Sequence, residues 1–257
     1  MEAGRTALIT GGSGRLGAEF ARQLAARGLH LCLVARRFAP LQDLCNSLQQ
    51  AYGVRVEGLA LDLAEPGAAD ELHAETRLRG LTIDVLIHAA GRSLAGDFLD
   101  LDERQEERML LLQVLEMTRL LRRYGRDMAE QGGGHILLLS SLAAFQATPG
   151  WASYAAAKSY VQSLGEALAY ELRAQQIIVS ILAAGAMQQS RGFMPSRRNL
   201  LAVEEVVQQS LQALDKGVPV IAPGKSRRAG DLARRLVAGR LMPAMAQLLA
   251  KSTVTRH

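Results

Sequence analysis

Cysteine is scarce in this chain, with two residues in 257. A disulfide framework is thereby excluded, and neither Cys32 nor Cys45 stands at a metal-ligand spacing; both read as reduced core thiols. The histidines (30, 73, 88, 135 and 257) are scattered, with no HExxH-like pair, so no metal is expected. No run of about 18 uncharged apolar residues occurs, which argues against a transmembrane helix. The first residues, MEAGRTALIT, have an acid at position 2 and pass directly into a strand, unlike a signal peptide. These absences together predict a cytoplasmic protein. Aromatic residues make up only 4% of the chain, and the basic clusters carry no aromatic interleaving, so nucleic-acid binding is not expected.

What is present is apolar residue: 49% of the chain, enough for one sizeable core. The net charge of +5 is uneven, because residues 191–257 carry +8 and the preceding 190 carry −3. The basic excess therefore belongs to the C-terminal part of the chain.

Apolar strand-like runs alternate with helical stretches. Expected strands are 6–10, 29–35, 54–61, 83–89, 135–140, 177–182 and 218–221. Expected helices are about 14–27, 41–52, 68–78, one long helix at 103–130, one carrying Tyr154 and Lys158, and 203–216. The strands are too apolar to alternate. The order predicts an α/β fold, a doubly wound parallel sheet of Rossmann type with about seven strands and helices on both faces. Residues 1–225 form the expected domain, with an integral loop at 185–201. An amphipathic basic extension follows at 226–257, where Leu232, Leu236, Val237, Leu241 and Leu248 fall at helical spacing and Pro243 interrupts. That extension suits packing over the domain or a second subunit, or contact with an anionic membrane surface.

The first strand runs into Thr10-Gly-Gly-Ser-Gly-Arg-Leu-Gly17. Glycines at 11, 14 and 17 allow a tight turn, close backbone approach to a pyrophosphate, and close packing of helix on sheet. The second strand ends in Arg36 and Arg37 with no acid nearby, which favours the 2′-phosphate of NADP(H) over the free ribose of NAD(H). Arg15 adds to that charge. Asp62, ending the third strand, is placed either to accept from an adenine amino group or simply to open a turn.

Tyr154 and Lys158 are four residues apart, so a helix puts them on one face, while Ser141 lies thirteen residues earlier at a strand end. A cation beside a phenol favours the phenolate, so Lys158 is expected to lower the Tyr154 pKa and make it a general acid/base; Ser141 would hold the substrate oxygen. Taken alone, the pair also fits an ordinary amphipathic helix.

The motifs TGGSGRLG, VARR, LDL at 61–63, HAAG at 88–91, SS at 140–141 and YAAAK at 154–158 resemble those of the short-chain dehydrogenase/reductase family, over roughly residues 5–224. The resemblance implies a nicotinamide cofactor and Ser141, Tyr154 and Lys158 as catalytic residues. The cofactor would meet Gly11, Ser13, Gly14, Arg15, Leu16 and Gly17, then Arg36 and Arg37, Asp62 and Leu63, and Ala89, Ala90 and Gly91, with Tyr154 and Lys158 at its ribose. It also implies a small-molecule carbonyl or alcohol substrate and a homodimer or homotetramer. Four positions depart from the family. Arg15 replaces a glycine, and His88 replaces the first Asn of NNAG. Leu110 aligns with an Asn that supports the lysine, and Ala183-Ala-Gly185 replaces the PG after the sixth strand, with Gln189 as a carboxamide contact. The expected function is an NADP(H)-dependent carbonyl/alcohol oxidoreductase; the alternative is a binding, regulatory or non-redox protein on the same fold.

Overall fold

The computed structural model describes residues 1–185 and 201–223. Its sheet has seven parallel strands: β1 Thr6–Thr10, β2 His30–Ala35, β3 Val56–Ala60, β4 Val85–His88, β5 Gly134–Ser141, β6 Ile177–Ala184 and β7 Val220–Ile221. Their order across the sheet is β3-β2-β1-β4-β5-β6-β7. The helices are α1 Arg15–Ala25, α2 Phe38–Tyr52, α3 Ala68–Leu78, α4 Glu103–Leu110, α5 Glu116–Glu130, α6 Ala152–Glu171 and α7 Val203–Asp215.

The unbroken apolar runs are explained by burial on both faces. Along β1 and β2, Ala7, Ile9, Leu31 and Leu33 point into one core with Phe20 and Leu24 of α1, Leu41 of α2 and Val207 of α7. The alternate residues Leu8, Cys32 and Val34 point into the other core, with Leu72 of α3, Met117 and Tyr124 of α5 and Val161 of α6. Strand periodicity of two thus feeds two cores rather than one core and solvent. Cys32 and Cys45 are buried free thiols, pushed up to about 12 and about 11 by desolvation.

The long helix expected over 103–130 is not continuous. A π-helical turn, Leu111–Leu115, separates α4 from α5. Downstream of it the fully buried Glu116 carboxylate accepts from Gly67 N at 3.1 Å and Ala69 N at 2.8 Å. It thus caps α3 from another helix and satisfies N–H groups that have no partner within α3. Arg119 donates to the same carboxylate at 2.6 Å.

Strand order reverses between β1 and β4. A crevice opens there at the carboxyl ends of the strands, the place where doubly wound sheets bind ligands. The glycine turn after β1, Gly91 after β4 and Ser141 at the end of β5 all lie at this edge.

Candidate active site

The glycine turn is closed by backbone contacts that exclude side chains. Gly11 has a φ of +67°, and a Cβ there would stand 2.8 Å from the Ala90 nitrogen. A Cβ at Gly17 would stand 2.1 Å from the Gly11 carbonyl oxygen, so α1 begins directly against the loop. Gly14 N donates to Gly11 O at 2.8 Å, and Gly12 N to Val34 O at 2.9 Å, which ties the turn to β2. No side chain caps α1, and its first turn holds no acid, so its leading N–H groups and dipole suit an anion. Arg15, Arg36 and Arg37 are exposed around this end, and Ser13 and Leu16 are half-buried in it.

At the other end of the crevice, Ser141 Oγ accepts from Ala143 N at 3.2 Å and so starts the turn Leu142–Phe145. Two hydroxyls hold α6 to this region: Ser140 Oγ donates to Lys158 O at 3.2 Å and Ser159 Oγ to Ala144 O at 2.7 Å. These bonds fix the helix face that carries Tyr154 and Lys158. Lys158 is buried; its Nζ donates to Leu139 O at 2.9 Å and stands 5.8 Å from the centroid of the Tyr154 ring. Trp151 packs edge-on against Tyr154, with ring centroids 5.3 Å apart. Ser153 Oγ donates to Glu106 and joins the first turn of α6 to α4.

Burial raises the Tyr154 pKa above its ordinary value, and a hydrogen bond with Ser141 partly offsets this. Burial also lowers Lys158 to about 8. Burial is thus the larger influence on the phenol in this structure, and the ammonium expected to draw it down stands over the ring while donating to Leu139 O.

His88 is buried: its Nδ1 lies 3.0 Å from Thr10 Oγ1, which also accepts from Ala90 N at 3.2 Å. β4 is thereby tied to the end of β1 beside the glycine turn. Burial, with the Lys158 charge nearby, holds the imidazole down to about 3, so it is neutral. Among the described residues, four buried polar side-chain atoms have no hydrogen-bond partner; His88 Nε2 and Gln113 Oε1 are two of them. Gln113 Oε1 and Lys158 Nζ lie 3.2 and 3.7 Å from the point a Cβ on Gly91 would occupy, so both border one small polar space. Gln113 Nε2 donates to Arg92 O at 3.0 Å, which orients the amide.

A family model described as short chain dehydrogenase matches residues 5–200. The chain belongs to the short-chain dehydrogenase family. It is 31% identical over 195 residues to a very-long-chain 3-oxoacyl-CoA reductase of Neurospora crassa, covering 73% of this chain and 59% of that protein. It therefore spans about three fifths of that relative. It is 25% identical over 236 residues to a 7beta-hydroxysteroid dehydrogenase of Collinsella aerofaciens, covering 87% of this chain and 88% of that one. Among solved structures, a short-chain dehydrogenase from Sphingobium yanoikuyae in complex with NADPH superimposes with a TM-score of 0.80 at 30% identity, covering 92% and 97% of the two chains. A bulky-bulky ketone specific alcohol dehydrogenase from Comamonas testosteroni matches with a TM-score of 0.80 at 27% identity, covering 92% and 95%.

Within this short-chain dehydrogenase, the glycine residues, Ala89, Ala90, Gly91, Ser141, Tyr154 and Lys158 come together at one edge of the sheet. Asp62 and Leu63 follow β3, and Asp62 already accepts from Arg108 Nη2 at 2.7 Å and Ala64 N at 3.0 Å. Leu110 does not take the place of a lysine-supporting asparagine; it is 37% exposed on the outer face. The π-helical turn rotates the chain so that Gln113, three residues on, is the buried polar group near Lys158. A signal for it existed, since Gln113 is the single polar residue within Leu110-Leu-Leu-Gln-Val-Leu115. Gln189 and residues 186–200 of the expected 185–201 loop, and the whole 226–257 extension, lie outside the described residues.

Proposed function

We propose that the protein is an NADP(H)-dependent oxidoreductase that interconverts a carbonyl and an alcohol on a small molecule. The observation that carries this reading is the convergence of the Ser141 hydroxyl, the Tyr154 phenol and the Lys158 ammonium beside a glycine cradle that a Cβ would fill. That cradle and the uncapped start of α1 suit a pyrophosphate. Arg36 and Arg37, exposed at the end of β2 with no acid between them, suit a 2′-phosphate. The NADPH of the Sphingobium neighbour accords with this choice. Lys158 and Tyr154 would hold the nicotinamide ribose, Asp62 would accept from the adenine amino group, and the bound nicotinamide supplies or takes up the hydride.

The remaining chemistry belongs to the chain's own groups. Ser141 donates to the substrate oxygen and orients it. Tyr154, a phenol that is neutral at neutral pH and is raised further by burial, donates its proton to that oxygen as the carbonyl is reduced. The positive charge of Lys158 then steadies the phenolate that remains. The alternative of a non-redox binding protein drew on the altered support positions, yet His88 and Gln113 put polar groups there. Trp151 and Phe145 beside the cleft, with Phe98 and Leu99 exposed on the neighbouring loop, favour an apolar carbonyl substrate. Subunits would pair through α4, α5 and α6 and the π-helical turn between the first two, where Leu110, Leu115 and Tyr160 are exposed.

Calorimetry with NADPH and NADH side by side, followed by a panel of apolar ketones, tests the reading. NADPH should bind more tightly, and Tyr154→Phe should abolish turnover while cofactor binding persists. Binding of neither cofactor by the wild-type protein would overturn the proposal.

A further inference from the structure

Arg108, on the last turns of α4, reaches across to the loop after β3 and bridges two acids. Its Nη2 donates to Asp62 Oδ2 at 2.7 Å and its Nη1 to Glu65. Asp62 Oδ1 meanwhile accepts from Ala64 N at 3.0 Å. Each oxygen of Asp62 therefore has one donor fixed by the protein. A carboxylate has about four acceptor positions, so both oxygens keep capacity for a further donor. The Arg108 side chain is 22% exposed and that of Asp62 29%, so this pair is partly shielded from water. Asp62 and Glu65 sit three residues apart and carry the same charge; Arg108 is the cation that lets both point the same way.

We infer that Arg108 is a positioning residue that makes Asp62 a selective acceptor for the amino group of a 6-aminopurine. The inference rests on the proposed dinucleotide reading, in which Asp62 meets adenine. Held in one orientation by two donors, the Asp62 carboxylate offers only acceptors to a base. It pairs with a 6-amino donor and repels the 6-oxo acceptor of a hypoxanthine base. Without Arg108 the carboxylate is free to turn from Glu65 toward water, and the discrimination disappears. The same helical segment carries Gln113 toward Lys158, so α4 and the π-helical turn serve both ends of the crevice.

The test compares the affinity of the full-length protein for NADPH and for its deamino analogue, which bears hypoxanthine, in wild type, Arg108→Gln and Asp62→Asn. A site built around one donor rejects the analogue lacking it. Wild type is expected to favour NADPH by about tenfold or more, as the loss of one hydrogen bond to a charged group predicts. Arg108→Gln should bring the ratio close to one, as Asp62→Asn does, while leaving affinity for reduced nicotinamide mononucleotide unchanged. A purely structural role for Arg108 would weaken both dinucleotides equally and keep the ratio. That result would overturn the inference and leave the Asp62 reading standing. A wild-type ratio near one would remove Asp62 from the adenine site, and binding of neither dinucleotide would remove the dinucleotide reading itself; either outcome overturns the inference.

Discussion

Replacing Gly17 by alanine tests the link between the glycine turn and function most directly. The residue lies inside α1 at ordinary helical geometry, so by propensity alone alanine would stabilise the helix by about 1 kcal/mol. The tertiary contact reverses the sign. The new Cβ would fall 2.1 Å from Gly11 O, roughly 1 Å inside any tolerable separation, and 2.8 Å from Gly11 C. Both atoms are backbone, so no side chain can turn aside; either α1 or the loop must shift. A shift of the loop breaks the Gly14 N to Gly11 O bond that closes it. Overpacking costs about 1–3 kcal/mol and the lost hydrogen bond about 1, against the propensity gain, for a net of about 1–3 kcal/mol. For a chain of this size that corresponds to a Tm lower by roughly 2–12 °C. The larger effect is expected on the cofactor. Moving the phosphate cradle by roughly 1 Å should weaken NADPH by on the order of 100-fold. Differential scanning calorimetry and titration calorimetry on the same sample read both quantities. A variant that binds NADPH within about threefold of wild type, under 1 kcal/mol, would refute the assignment of this turn to phosphate.

Gly125→Ala provides the opposite case: no atom lies within 4 Å of its added Cβ and its φ is ordinary, so a gain of about 0.4–1 kcal/mol is expected in thermal denaturation. Gln113→Leu should lower kcat by about 10- to 100-fold with NADPH affinity unchanged, and Gln113→Asn should recover much of it; equal activity in all three proteins would show that Gln113 does not support Lys158. Glu116→Ala strands two N–H groups at the start of α3 and should cost about 3–5 kcal/mol, seen as a lower urea midpoint. His88 gives a pH signature. Its imidazole titrates near 6.5 when unfolded but at about 3 when buried, so between these values the unfolded chain binds more protons and stability falls as pH is lowered. His88→Asn should flatten that part of the acid slope in urea denaturation across the same window.

Periodicity and local chemistry carried a great deal of this protein. Seven strands, their burial on both faces, the glycine turn after β1 and the four-residue spacing of Tyr154 and Lys158 are all properties of short stretches, and the structure has them within a few residues. A glycine that must accept a positive φ, or a run such as Ile136-Leu-Leu-Leu139 that fills two cores by turns, announces itself locally. Three other features were decided only by packing. The π-helical turn at 111–115 separates α4 from α5, and across it Leu110 is exposed while Gln113 is buried beside the lysine. The upward direction of the Tyr154 pKa comes from its burial in the folded chain, which neither the tyrosine nor the lysine encodes. Glu116 and Arg108 act on segments more than forty residues away, as the cap of α3 and the clamp on Asp62. Hydrogen-bond reach is a few ångströms in space, and only the folded chain brings such pairs within it.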